Sequence, residues 1–390
     1  MKILAIETSC DETGVAILES PRAEFGQPVE ILSNLVASQI SVHRRWGGVV
    51  PNLARREHQR NLIPLLSQSL RETKTIKSQW RWALSSREKK IISESLNREP
   101  RLSKKLTRFL KQGTRPEIDL LAVTIGPGLE PALWTGANLT LALSQIWQIP
   151  FVPVNHVEAH IVANWLDDSR PQEWPIIALV VSGGHTELIL MENSSSYKII
   201  GRTRDDAAGE CFDKTARVLD LGYPGGPIIS KLAEEWRVAD QEKAPAEIKE
   251  ISLPRPMIGS RDYDFSFSGL KTAVLYRHQS YPERIKRSPY YKIKMAAEIE
   301  DAINDVLINK TIEAAKQHQA KTILIGGGVA ANQSLRHRLT EQARESGFNL
   351  FRPPIKFCTD NAAMIGLTGL KHSKKASLSD TIKVNANLNL

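Results

Sequence analysis

Two stretches of this chain, about 170 residues apart, read as the same strand–turn–strand unit. In the first, an apolar run at 3–8 meets the polar turn Cys10-Asp11-Glu12-Thr13-Gly14 and a second apolar run at 15–19. In the second, 176–181 meets Ser182-Gly183-Gly184-His185-Thr186 and then 187–191. Ser9 and Thr13 have the same spacing as Ser182 and Thr186. A repeat at this distance predicts an architecture built from two copies of one domain. The length of 390 residues fits, because a single core rarely grows that large. Between and after the repeats, apolar runs that read as strands (31–41, 120–125, 151–154, 322–325) alternate with helical patterns at 50–69, 133–147, 205–222, 229–237, 296–317 and 335–346. That alternation predicts an α/β fold. The 50–69 helix is expected to carry Arg55, Arg56 and His58 on its polar side, and the proline-rich 244–260 to be mostly irregular.

Charge is distributed unevenly. The net charge is +9, yet 71–115 alone contains fourteen Lys and Arg against four acids, with Trp80 and Trp82 among them. The remainder of the chain is close to neutral. An excess of this kind points to a polyanionic partner. No run of 18 apolar residues occurs, so no membrane span is expected. The N-terminus reaches Glu7 after a short apolar run and reads as a core strand, not a signal peptide. Cys10, Cys211 and Cys358 have no CxxC spacing, which argues against a disulfide framework and for a reducing, cytoplasmic setting.

The run Asn155-His156-Val157-Glu158-Ala159-His160 places two imidazoles four residues apart, on one helix face. That spacing lets both rings reach one metal ion. It equally suits two helix-surface histidines. Zinc proteases of the H-E-x-x-H type place a general base directly after the first histidine. Here that position is Val157, and Glu158 lies about 200° round the helix from His156.

Ser182-Gly183-Gly184, Gly225-Gly226 and Gly326-Gly327-Gly328 are three turns whose backbone N–H groups can approach a phosphate. None has P-loop spacing, and each alone reads as readily as a tight turn. Together they favour a nucleotide site. The segment from Asp205 to Lys214 gathers four carboxylates, either a solvated helix face or, through Asp213, a hydroxyl acceptor. Asp360 precedes an apolar helix, where it is either an N-cap or the oxygen ligand completing a His, His, Asp site suited to iron or zinc.

Taken together, Ile6 to Thr13, Gly126-Pro127-Gly128-Leu129, the His156/His160 pair, Val181 to Thr186, Asp205 to Lys214, Tyr223 to Pro227, Asp264 to Thr272, Gly326 to Asn332 and Cys358 to Asn361 closely resemble the tRNA N6-adenosine threonylcarbamoyltransferase family, of bacterial type. The resemblance covers nearly the whole chain. It implies a duplicated actin-like ATPase fold, of the Hsp70, sugar-kinase and ribonuclease H-like kind, with two lobes and a central cleft. It implies transfer of a threonylcarbamoyl group from threonylcarbamoyl-AMP to N6 of adenosine 37 in tRNAs reading codons that begin with A. Matched position by position, His156, His160 and Asp360 are metal ligands, with iron (Fe2+) usual and zinc as the alternative. Val180, Val181, Ser182, Gly183, Gly184, Asp213, Gly226 and Asn332 are substrate-binding positions. Asp11 and Glu12 are the candidates for the catalytic base. Expected partners are tRNA, a paralogous TsaB-type subunit and a small TsaE-type ATPase.

The expected division is an N-terminal lobe at 1–150, with a basic insertion at about 73–113, and a C-terminal lobe at 151–390, with a helical subdomain at about 205–300. The insertion has no counterpart in compact relatives. It reads either as a solvated, partly disordered surface segment or as an added tRNA-backbone contact. Competing readings are an actin-like small-molecule kinase, which needs no histidine pair, a metallopeptidase, which lacks its adjacent base, and a scaffold that has lost its chemistry.

Overall fold

The computed structural model describes residues 1–76, 83–112, 115–167, 171 and 173–390. Its first sheet is built from β1 (Lys2–Glu7), β2 (Glu12–Glu19), β3 (Glu30–Ser38), β4 (Leu120–Gly126) and β5 (Phe151–Asn155), in the order β3-β2-β1-β4-β5. β1 pairs antiparallel with β2 and β2 with β3, whereas β1–β4 and β4–β5 are parallel. The second sheet holds β6 (Ile176–Val181), β7 (Thr186–Asn193), β8 (Ser196–Arg202), β9 (Thr322–Gly326) and β10 (Asn349–Phe351), in the order β10-β9-β6-β7-β8. Its pairings repeat the first, antiparallel along β6-β7-β8 and parallel along β6-β9-β10. Order and direction match strand for strand. The chain is thus an α/β protein with a duplicated, ribonuclease H-like sheet topology, as the sequence repeat predicts.

The compact units are Met1–Arg170 with Asp360–Leu390, and Pro171–Thr359. This moves the expected boundary at 150. β5 is hydrogen-bonded to β4 and leads into the helix His156–Val162, so 151–170 stays with the first sheet. The chain also returns to that sheet at its end through the helix Ala362–Lys371. In the second unit, the helices Ala208–Val218, Gly225–Val238 and Ser268–Ser280 share one apolar core with β6, β7, β9 and the long helix Pro289–Gln317.

Strand alternation assigns the two faces of the first sheet. Leu4, Ile6, Val15 and Ile17 pack with Leu62 and Leu66 of the helix Pro51–Glu72 and Leu139 and Leu143 of the helix Glu130–Trp147. The opposite face presents Ala5, Leu18 and Ala122 to the helix Ala362–Lys371. Small residues meet there. A Cβ on Gly366 would lie 2.5 Å from Leu18 Cδ1, and one on Gly369 2.5 Å from Ala122 Cβ. The two glycines therefore let this helix sit close on the sheet.

The described part of the basic insertion is ordered and packed. Residues 83–112 form two helices, Ser86–Ser95 and Pro100–Leu110. Ser85 and Glu88 make a reciprocal capping box at the first, and Pro100 opens the second. Leu96, Leu102, Leu106, Phe109 and Leu110 join the core beneath them. Trp80 and Trp82 lie outside the described residues.

Overfilling the Ala362–Lys371 contact is expected to destabilise the first unit. Gly369→Val should cost about 1–3 kcal/mol, the usual range for overpacking. Urea denaturation measures it, and a wild-type midpoint would contradict the close-packing argument.

Candidate metal centre and glycine-lined turns

Two asparagines position the metal-type ligands. Asn155 ends β5 and caps the helix His156–Val162, its side-chain oxygen accepting from Val157 N at 2.8 Å and Glu158 N at 3.2 Å. Asn361 does the same for Ala362–Lys371, accepting from Ala363 N at 3.1 Å and Met364 N at 3.2 Å. In each case the residue beside the cap is a candidate ligand, His156 or Asp360. Because Asn361 fills the capping role, the alternative of Asp360 as an N-cap falls away.

The ligand atoms converge. His156 Nε2 and His160 Nε2 are 3.2 Å apart, and Asp360 Oδ1 lies 3.5 Å from the first and 3.2 Å from the second. Bonds of about 2.1 Å to a tetrahedral ion give ligand–ligand edges of about 3.4 Å. The triangle has that size. Both histidines are buried and Asp360 is largely so. Two imidazoles and one carboxylate form a donor set that suits iron or zinc and leaves coordination positions open.

Glu7, at the end of β1, completes the arrangement and was not singled out from sequence. It is fully buried, accepts from the Ser9 N–H and the Thr124 hydroxyl, and its Oε2 lies 3.3 Å from His156 Nδ1. With Nδ1–H donating to Glu7, the Nε2 lone pair of His156 faces His160 and Asp360. This is the carboxylate–histidine pairing that orients metal ligands. Electrostatics agree. Burial raises the Asp360 carboxyl, but His156 and then His160 outweigh it and hold Asp360 well below the usual carboxylate range. Burial disfavours charge on His156, yet Asp360 and Glu7 lift it well above 6.5. The buried carboxylates thus draw a cation toward the imidazoles. His160 Nδ1 is buried and has no partner among the described residues.

Glu158 points elsewhere. It accepts from Lys371 Nζ at 2.7 Å and is 2.9 Å from His372 Nε2. Burial raises its carboxyl, but His372 and Lys371 bring it down to about 2. A carboxylate so engaged is no protease base, which disfavours the peptidase reading. The Glu158–Lys371 pair also ties the far end of Ala362–Lys371 to the helix that carries the histidines.

In the first turn Asp11 is buried, and Glu12 rises well above the usual range through burial and then the charge of Asp11. His58 is not on a polar face as expected. It is fully buried, with Nδ1 2.9 Å from Thr13 Oγ1 and Nε2 3.0 Å from the Cys10 carbonyl. Burial pushes it down to about 4, so it is neutral and braces this turn.

The second unit collects its glycines where β6 and β9 end. Ser182 O accepts from Gly209 N at 3.2 Å, and a Cβ on Gly209 would lie 2.6 Å from that oxygen. Gly327 has φ +91°, and its Cβ would meet Val181 O at 2.2 Å. Gly183 and Gly184 have open space around them. Asp213 Oδ1 accepts from Gly225 N at 2.7 Å, setting the turn that also contains Gly226. Asn332 caps the helix Gln333–Glu345 and donates to Ser230 Oγ at 2.8 Å and Glu300 Oε1 at 2.6 Å. Arg237 in turn donates to Glu300 at 2.7 Å. Val180 and Val181 are buried in β6. The other carboxylates of the Asp205 segment have structural partners. Asp205 accepts from Phe267 N at 2.8 Å and Ser268 N at 3.1 Å, and Lys214 pairs with Asp206 at 2.7 Å and Glu210 at 2.9 Å. The carboxyl ends of parallel strands are where open α/β sheets bind ligands. Both units place their candidate residues there.

Fold and site thus define a class: a duplicated actin-like α/β protein with a buried His–His–Asp centre. A family model described as TsaD, tRNA N6-adenosine threonylcarbamoyltransferase, matches residues 30–80 and 101–367. A protein of that name from Persephonella marina is 40% identical over 379 residues, covering 96% of this chain and 91% of its own. One from Thermosipho africanus is 39% identical over 391 residues, covering 100% of both. A solved ROK hexokinase from Thermus thermophilus aligns with 96% of the chain at 12% identity and a TM-score of 0.44. The chain belongs to the tRNA N6-adenosine threonylcarbamoyltransferase family, and it is an acyltransferase of tRNA modification. No helix among the described residues is long and apolar enough to cross a membrane.

Two outcomes are expected. Glu7→Gln should weaken divalent-metal affinity by about 10- to 100-fold, the usual effect of losing such a partner; calorimetric titration with unchanged affinity would contradict the role. The Glu158 carboxyl, about 2 when folded against 4.5 normally, contributes stability that is present above pH 4.5 and lost as pH falls toward 2. Glu158→Gln should therefore cost about 3 kcal/mol at pH 7, with a gap to wild type that narrows below pH 4.5. A gap independent of pH would refute the pairing.

Proposed function

We propose that the chain transfers the threonylcarbamoyl group of threonylcarbamoyl-AMP to N6 of adenosine 37 in tRNAs reading codons that begin with A. The observation carrying this reading is the convergence of His156 Nε2, His160 Nε2 and Asp360 Oδ1 within 3.5 Å in a chain of this family. His156, His160 and Asp360 would hold one divalent ion, iron first and zinc second, oriented through Glu7. When bound, the ion supplies Lewis-acid polarisation of the donor.

The donor is a mixed carbamic–phosphoric anhydride. N6 attacks the carbamoyl carbon, the bond to the phosphate oxygen breaks, AMP leaves with the electron pair, and N6 loses a proton. AMP leaves readily, so the demand on the protein is to orient a weak aromatic amine and stabilise charge. Val180, Val181, Ser182, Gly183, Gly184, Asp213, Gly226 and Asn332 serve substrate binding. The open space at Gly183 and Gly184 suits close approach of a phosphate, with the Gly184 N–H turned instead to Ser182 Oγ at 3.3 Å. The amide of Asn332 already donates to Ser230 and Glu300 and accepts from the Leu335 N–H, so a substrate contact there would be made by the remaining acceptor capacity of Oδ1. Of the two acids in the first turn, Glu12 is raised well above the usual carboxylate range by burial and then by the charge of Asp11. Asp11 and Glu12 are the candidates for the base that takes the N6 proton.

The setting is the cytoplasm, consistent with three unpaired cysteines. A paralogous TsaB-type subunit and a small TsaE-type ATPase are the expected partners.

Depleting the protein and quantifying tRNA nucleosides by mass spectrometry tests the reading. N6-threonylcarbamoyladenosine is expected to fall sharply, and an unchanged level would exclude it. A His160→Ala variant is expected to lose transfer in vitro by at least 100-fold (about 2.7 kcal/mol). Full activity in that variant would exclude the metal role.

A further inference from the structure

The first unit carries a cationic surface that the reaction centre does not use. The inner side of the helix Pro100–Leu110 buries Leu102, Leu106, Phe109 and Leu110, an i, i+4, i+7, i+8 pattern. Its outer side exposes Arg101, Lys104, Arg108 and, just past its end, Lys111. These recur every three or four residues, about 4.5–6 Å apart along the axis. No acid occurs from 100 to 112. None of the four cations has an ion-pair or hydrogen-bond partner among the described residues. Two arginines of the second unit differ: Arg237 pairs with Glu300 at 2.7 Å and Arg255 with Asp305 at 2.7 Å.

We propose that this stripe docks the phosphate backbone of tRNA. The inference rests on the reading of the chain as a tRNA-modifying transferase. Three features favour a nucleic-acid backbone. The four charges share one sign and have no counter-charge. They sit on a helix anchored by buried leucines, so less ordering entropy opposes binding than on a loose tail. The helix turns its large apolar side chains inward and offers none to insert into a lipid surface. The neighbouring helix Ser86–Ser95 lies within 81–100, the stretch that the family match leaves out. The stripe itself lies within 101–367, which the family model matches.

The test titrates the full chain with tRNA over a range of salt, beside a variant with Arg101, Lys104, Arg108 and Lys111 all changed to Gln. Each phosphate contact contributes about 0.7–0.9 to the slope of log K against log salt. The variant is expected to lose about 3 from that slope and to bind at least tenfold more weakly at low salt. A milder pair, Lys104→Gln with Arg108→Gln, should lose about half as much and guards against misfolding of the quadruple variant. An unchanged slope in both variants overturns the proposal. So does wild-type chain that does not bind tRNA at low salt, or loss of phosphatidylserine-vesicle binding with tRNA binding intact. The cellular nucleoside assay is independent of this slope, so failure of the docking surface and failure of the transferase reading are distinguishable.

Discussion

The metal-type centre depends on one packing contact, the seat of the helix Ala362–Lys371 on the first sheet. Gly366 and Gly369 bring its backbone close to Ala5, Leu18 and Ala122, where larger side chains would hold it away. The chain has by then built an entire second unit, and this contact returns it to the first. Its N-terminal cap at Asn361 leaves Asp360 facing two imidazoles presented by another capped helix. At the other end, Lys371 closes on Glu158 of the histidine-bearing helix. Two attachments fix the relative position of the two ligand-bearing segments. Catalytic geometry held within a few tenths of an ångström requires support of this kind.

Electrostatics give the centre its purpose. Burying the Glu7 and Asp360 carboxylates beside imidazoles is costly without a cation. The pull on His156 shows that the site draws in positive charge. A metal ion would meet that demand through the Nε2 atoms that Glu7 and helix geometry direct inward. Glu158, the acid nearest in sequence, is neutralised by Lys371 and His372. The same local sequence that superficially resembles a protease motif therefore supports a different chemistry.

Local signals were legible in the sequence and distant ones were not. The His156/His160 pairing follows from helix periodicity alone, and the duplicated sheet from the repeated hairpins. In sequence Asp360 fits cap and ligand alike, and only the capping of the helix by Asn361 separates the two. Glu7 gave no signal, because its partner His156 lies 149 residues away and only the β1–β4–β5 register brings them together. His58 was misread because its neighbours Arg55 and Arg56 suggested a polar face, whereas the ring points under the first turn. The packing of the insertion was hidden for a related reason: its charge masks Leu102, Leu106, Phe109 and Leu110, which recur at helical spacing and anchor the helix Pro100–Leu110.

The central claim is that His156, His160 and Asp360 bind one metal ion. X-ray absorption on protein loaded anaerobically with Fe2+, combined with elemental analysis, tests it directly. One ion per chain with nitrogen and oxygen neighbours at about 2.0–2.2 Å is expected, with occupancy lost in Asp360→Ala. An Asp360→Ala protein that retains the ion with an unchanged spectrum would contradict it.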